Sequence, residues 1–307
     1  MWINIYFRAD DGINGPELWK SDGSTLGTVM LKDVYIGMQG SNCSSLFVNG
    51  SSLFFAAASL SVGIELWKSD GTTLGTILVK NINLITAGAS SPGPFFIAGT
   101  DLFFSANDGI NGTELWKSDG TNSGTTLVKD IKPGPLPGIL SPGNFISMGS
   151  NVYFAADDGI NGVELWKSDV TTLGTTLLKD INTGSVSSSP GSFKIMGSNF
   201  YFQANDGVNG LELWKSDGTT VGTILLKDIE PGSMSSSPGG SSMVVMGSNI
   251  YFNAITSSFG FELWKSDGTS SGTILVKDIN PGSIGSNPYG FTVFGSKIIF
   301  SASNPTE

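Results

Sequence analysis

The chain has no histidine, one cysteine, and only 16 basic residues among 307. Each shortage removes a class of function. Without histidine, and with Cys43 as the lone thiol, zinc-type metal sites, Ser-His or Cys-His nucleophiles and an intramolecular disulfide are all excluded. The net charge of −10 argues against nucleic acid and anionic membranes, which need clustered Lys and Arg to displace counterions. No run approaches the roughly 18 apolar residues of a membrane span, so membrane insertion is not expected. The opening residues, MWINIYFRADDG, show no basic region followed by an apolar stretch. Sustained i, i+3, i+4, i+7 periodicity is also missing, which leaves no expected helix.

What the chain has instead is glycine, turns and repetition. Its 42 Gly and 13 Pro follow no collagen period, and short Val, Ile, Phe, Tyr and Leu runs recur between Gly, Asn, Asp and Ser clusters. The fold class is therefore all-β. GTELWKSDGT at 112–121 recurs with small changes, placing Trp19, Trp67, Trp116, Trp166, Trp214 and Trp264 at intervals of 48 to 50 residues. Each repeat reads as four strands, represented by NVYFAAD (151–157), VELWKSD (163–169), TTLLKDI (175–181) and SFKIMGS (192–198). Asp-Gly and Asn-Gly turns join the first three, and the longer NTGSVSSSPG loop (182–191) crosses to the fourth. The first strand is apolar on both faces and needs cover on both sides.

Four antiparallel strands per repeat of this length predict a β-propeller of six four-stranded blades forming one domain, 1–307. The repeats run approximately 1–50, 51–99, 100–149, 150–197, 198–247 and 248–295, with an extra terminal strand at 297–303. A seven-bladed ring would need three further strands, since only the first strand type occurs seven times. The C-terminal copy KIIFSAS is expected to close the ring, leaving the N-terminal copy INIYFRAD (3–10) at an edge; self-association through a terminal strand is the alternative. The six Trp are expected to fill the space between blades, each indole N–H meeting a partner at the rim, with a sugar-stacking ring as the other reading.

The segments ADDGINGVELWKSD, SDGTTLGTILVK and VKDINPGS resemble the bacterial ELWxxDGT repeat family, across essentially the whole chain. That resemblance implies a secreted or cell-surface bacterial protein built of propeller-forming repeats, with no defined activity. The chain departs from the pattern at Val170, in place of the turn Gly, and at Asn81, in place of Asp. Copies two and six lack the DGxNG turn.

Chemistry is scarce. Twelve of the basic residues belong to the repeat (Lys20, Lys68, Lys117, Lys167, Lys215, Lys265, and Lys32, Lys80, Lys129, Lys179, Lys227, Lys277), leaving Arg8, Lys132, Lys194 and Lys297. Repeated environments do not give the unlike pKa values that acid–base catalysis needs, so no catalytic residue and no cofactor are expected. Glu17, Glu65, Glu114, Glu164, Glu212 and Glu262, each two residues before a Trp, are expected half-buried beside a Lys of the next strand. Glu230 and Asp101 are the carboxylates outside the repeat, with no evident partner. Calcium is the competing idea for Asp108, Asn111 and Glu114, which recur as Asp11, Asn14, Glu17, as Asp158, Asn161, Glu164 and as Asp206, Asn209, Glu212. Their spacing is not that of a calcium loop, and plain turns account for them as well. The crossing loops vary most, and Tyr35 and Tyr289 are their aromatics. The expected function is a non-enzymatic extracellular structural or adhesive module with a protein or glycan partner, or itself, as partner. A carbohydrate-binding propeller and an enzyme with a central-tunnel site are the alternatives.

Overall fold

Short strands that are apolar on both faces bury themselves only in antiparallel sheets that cover one another. The computed structural model describes residues 4–85, 88–140, 145–240 and 243–304, and these contain strands and no helix. The first sheet is β1 (Ile5–Asp10), β2 (Pro16–Ser21) and β3 (Val29–Lys32). Five four-stranded sheets follow. They are β4 (Ser44–Asn49), β5 (Ser52–Ala57), β6 (Glu65–Ser69), β7 (Ile77–Lys80); β8 (Phe96–Ala98), β9 (Asp101–Asn107), β10 (Thr113–Ser118), β11 (Thr126–Lys129); and β12 (Phe145–Met148), β13 (Asn151–Asp157), β14 (Val163–Ser168), β15 (Thr176–Lys179). The remaining two are β16 (Gly191–Met196), β17 (Asn199–Asn205), β18 (Leu211–Ser216), β19 (Ile224–Lys227) and β20 (Met243–Met246), β21 (Asn249–Thr256), β22 (Gly260–Ser266), β23 (Ile274–Lys277). A two-stranded sheet, β24 (Tyr289–Phe294) and β25 (Lys297–Ser301), ends the series.

The strands are those expected, but their grouping is not. SFKIMGS does not finish the sheet of NVYFAAD; as β16 it opens the next one, pairing Met196 with Asn199 and Ile195 with Phe200. The two-residue Gly197-Ser198 turn forces this neighbour, whereas the long crossing loop imposes none. The expected repeat boundaries at 149/150 and 197/198 thus cut through hairpins. KIIFSAS, as β25, pairs with β24 across a short turn, and the N-terminal copy, as β1, pairs with β2, which β3 flanks on its other side. Ile3 of the N-terminal copy, and residues 86–87, 141–144 and 241–242 of the crossing loops, lie outside the described residues.

Contacts divide the chain into two compact units, residues 1–143 with 170–172, and 144–169 with 173–307. In the first, Leu18, Leu31 and Val34 of the first sheet pack with Leu53, Phe55, Ala57 and Trp67 of the second. Phe54, Leu66, Val79 and Ile82 then pack with Leu102, Phe104, Ala106 and Trp116 of the third. The second unit repeats the scheme, Leu165, Leu178 and Ile181 against Phe200, Phe202, Ala204 and Trp214, and Leu213, Leu226 and Ile229 against Ile250, Phe252, Ala254 and Trp264. Within it β12, β16, β20 and β24, the first strands of successive sheets, lie side by side. Strands such as β5 are buried on both faces, as their composition requires, while β1 and β25 stay half-exposed.

Val170 marks the one strained turn of its kind. Its φ is 81°, where the equivalent Gly23, Gly71, Gly120, Gly218 and Gly268 have φ of 85° to 92°. A β-branched residue there sets Cβ against its own carbonyl, at a cost of about 1–2 kcal/mol. Val170→Gly is expected to stabilise the protein by about 1 kcal/mol, after the extra unfolded-state entropy of glycine is deducted. A urea midpoint that fails to rise would show that the turn relaxes around valine.

Candidate functional site

The most repeated ionisable group is also the most enclosed. All six repeat glutamates are fully buried, not half-buried, and the donors they accept from are main-chain amides and serine hydroxyls where a lysine side chain was expected. Glu65 accepts hydrogen bonds from the amides of Ile82 (2.8 Å), Asn83 (3.3 Å) and Ser90 (3.2 Å) and from the Ser90 hydroxyl (2.6 Å). Glu164 does the same with Ile181, Asn182 and Ser188, and Glu262 with Ile279, Asn280 and Ser286. The Trp strand thus carries near its start a carboxylate that ties down both ends of the crossing loop. Glu114 meets Gly138 where the other copies present serine, and among the described residues its donors are the amides of Ile131, Lys132 and Gly138. Burial pushes the carboxyls of Glu65, Glu114, Glu164 and Glu212 up, to about 7 for Glu114 and Glu212, against the opposing pull of their donors.

The repeat lysines reach the next sheet instead. Lys20 donates to the Gly71 carbonyl (2.8 Å), Lys68 to that of Gly120 (2.7 Å) and Lys215 to that of Gly268 (3.1 Å). Lys32 and Lys179 donate to the carbonyls of Thr76 (2.7 Å) and Thr223 (2.6 Å). They form charge-assisted staples between sheets, and their ammonium groups lie 6.0 Å over Trp67 and 5.9 Å over Trp214. The indole N–H groups of Trp19, Trp67, Trp116, Trp214 and Trp264 are buried with no hydrogen-bond partner, contrary to the expected rim contact. The polar group over the ring is itself only a donor, so it has nothing to offer an N–H.

The aspartates of the calcium candidates resolve into turns. Asp108 accepts from the amides of Ile110 (2.9 Å) and Asn111 (2.7 Å) and from the Asn111 side chain (2.7 Å), and Asp11, Asp158 and Asp206 repeat this. Glu114 of the same copy is committed to its crossing loop, so the calcium triad of the sequence is split between two jobs. Among the described residues no group of three or more Asp, Glu, Cys or His is placed to hold a metal ion. Glu230 is buried and accepts the Ser257 amide at 2.9 Å, bracing the hairpin of copy six that lacks DGxNG. Asp101 on β9 receives a long 3.5 Å contact from the Thr100 hydroxyl. The Cys43 thiol is buried and pushed up to about 12 by burial and then by the charge of Glu17, which makes it inert.

Among the described residues, two cavities of the second unit have linings worth noting. One, ≈ 420 Å³, lies at the first strands β12, β16, β20 and β24 and is lined by Ile146, Lys194, Ile195, Val244, Val245 and Val293. Its lining is aliphatic with a single charge and offers no acid–base pair. The other, ≈ 320 Å³, is lined by Ser237, Gly240, Asn253, Phe261, Asn287 and Tyr289. Of these only Tyr289 stood out in the sequence; Asn253 and Phe261 sit inside strands, at positions that vary from copy to copy.

No family model and no curated protein matches the chain. Among solved structures it is similar to puromycin hydrolase, with a TM-score of 0.51 and 14% identity over 97% of this chain and 49% of that one. It is similar also to a mutant of that enzyme complexed with PGG, with a TM-score of 0.54 and 13% identity over 97% and 49%. The chain spans about half the length of these proteins. At such identity the likeness is one of fold, and that fold is propeller-like. Among the described residues no helix is long and apolar enough to cross a membrane.

Proposed function

We infer that the chain is a non-enzymatic extracellular structural or adhesive module of the ELWxxDGT type, built as a propeller of six blades that associates through its surfaces. The observation that carries this reading is a division of labour within the repeat. Its glutamates hold crossing loops and its lysines staple sheets, while aliphatic residues recur at exposed turn tips: Leu26, Leu74, Leu173 and Val221, 89–93% exposed, at the tips of the SDGTxLGT-type turns. Ile13, Ile110, Ile160 and Val208 occupy the tips of the DGxNG turns at 69–72% exposure. A single exposed leucine is ordinary, but the same exposed position filled in copy after copy supports a surface made for contact. The two incomplete sheets add to this. Among the described residues no strand of the β4 type lies beside β1 and none of the β6 type beside β25. Edges of this kind are completed by strands of another copy through β-addition. Binding a glycan is the second reading, favoured by the smaller cavity. The resemblance to puromycin hydrolase is one of fold and brings no hydrolase chemistry to these residues.

Copies three and six already carry Ser123 and Ser271 at the turn tip, so serine suits that site. Sedimentation of the intact chain is expected to show concentration-dependent association, which the combined Leu26→Ser, Leu74→Ser, Leu173→Ser and Val221→Ser variant loses with its melting temperature unchanged. A monodisperse wild-type chain, or association equal in the variant, would sink the surface reading.

A further inference from the structure

The third residue before the two-residue turn of each first hairpin is uncharged in every copy but one. It is Phe47 in β4, Phe96 in β8, Ile146 in β12, Val244 in β20 and Thr292 in β24. In β16 it is Lys194, one of the few basic residues outside the repeat. A repeated scaffold acquires a site as a local exception, and this exception brings the opposite chemistry to an apolar series.

Lys194 lines the ≈ 420 Å³ cavity of β12, β16, β20 and β24 together with Ile146, Ile195, Val244, Val245 and Val293. Ile146 and Ile195 pack into the core between the sheets of β12 and β16. Lys194 shares a strand face with Met196, which joins Val245 in the core shared with the sheet of β20. The ammonium therefore belongs to the face that meets a valine. Repeat lysines such as Lys20 and Lys179 donate to carbonyls of the next sheet. Among the described residues the Lys194 ammonium has neither a hydrogen bond nor an ion pair, and the lining holds no carboxylate. Aliphatic walls withdraw water from a half-buried ammonium without giving it an acceptor, and an anion restores one.

The lining selects both ends of that anion. Its other side chains are aliphatic, with no hydroxyl, amide or ring to meet a sugar or a nucleobase. The body of the ligand is therefore apolar. A lone ammonium balances one carboxylate, whereas a dianion would bring a second charge with no second cation, and an amine would be repelled. The volume lies within the range of small-molecule sites. We propose that this cavity binds an aliphatic monocarboxylate, its carboxylate on Lys194 and its chain along the isoleucines and valines. This goes beyond the association reading and uses first-strand residues, not turn tips, so either stands if the other fails.

Isothermal titration calorimetry of the intact chain tests it, with butanoate, hexanoate and octanoate beside octanol, octylamine and octanedioate. Octanoate is expected to bind saturably, and each added methylene to tighten binding by about two- to fourfold. The three controls are expected to bind about tenfold or more weakly than octanoate. Lys194→Val and Lys194→Thr install residues that β20 and β24 carry at this position, so both are expected to keep the wild-type melting temperature. Each is expected to weaken octanoate by about tenfold or more while leaving octanol unchanged, and Lys194→Arg to retain octanoate. The proposal is overturned if octanoate does not bind, if either folded Lys194 variant lacking the cation binds it as tightly as wild type, or if octanol, octylamine or octanedioate binds as tightly as octanoate.

Discussion

Glu164→Ala is expected to lower the free energy of unfolding by about 3 kcal/mol or more. The Glu164 carboxylate accepts the amides of Ile181 at 2.7 Å, Asn182 at 3.4 Å and Ser188 at 2.8 Å, and the Ser188 hydroxyl at 2.6 Å. Alanine leaves those donors without an acceptor, and each buried orphan costs about 1–3 kcal/mol where water does not reach it. The loss is more than local. These donors bracket the loop that carries the chain from β15 to β16, so the carboxylate also sets where the next sheet begins. Glu164→Gln keeps the shape but turns an amide N–H₂ toward donors, and is expected to fall between wild type and alanine. Urea denaturation checks the order, and a loss below about 1 kcal/mol for alanine would mean that the loop is held by other contacts.

The strands were legible because alternation and Asp-Gly or Gly-Ser turns act within a few residues. The sheet boundary was harder. The apolar pattern of β16 suits either neighbouring sheet, and only the two-residue turn after Met196, in MGSN, discriminates between them. The glutamates were misread for a related reason. A side-chain pattern suggests side-chain partners, whereas most donors to Glu164 are main-chain amides, which leave no mark in composition. One mark did exist: Ser41, Ser90, Ser188, Ser236 and Ser286 follow their glutamates by 24 or 25 residues and place a hydroxyl on each carboxylate. The lysines follow the same logic, since the carbonyls of Gly71 and Thr76 that receive them are equally silent. Tyr289 was visible as a loop aromatic, but Asn253 and Phe261 join it only once β21 and β22 are placed beside the loop into β24.

The second large effect is on pH dependence, and its sign is opposite to ordinary acid denaturation over part of the range. Glu65, Glu114, Glu164 and Glu212 have carboxyls raised by burial above their usual 4.5, so the folded state keeps a proton that the unfolded chain has released. Their contribution is complete below pH 4.5 and declines as pH climbs toward 7, the value of Glu114 and Glu212, by on the order of 3 kcal/mol for each of those two. The turn aspartates act in the other direction. Asp22, Asp70, Asp119, Asp217 and Asp267 are held below their usual 3.8 by the side-chain and then the backbone donors of the following Ser or Thr. Their stabilisation is present above that value and lost as pH falls beneath it. Together the two sets place maximum stability between about pH 4 and 5, with an acid limb from the turns and a gentler decline toward neutrality from the cages. Urea midpoints are expected to be higher at pH 5 than at pH 7.5, and Glu114→Gln, which cannot titrate, to flatten that difference. A midpoint that rises steadily from pH 5 to 7.5 would mean that the amide donors outweigh burial and that the cages hold carboxylates ionised well below 7.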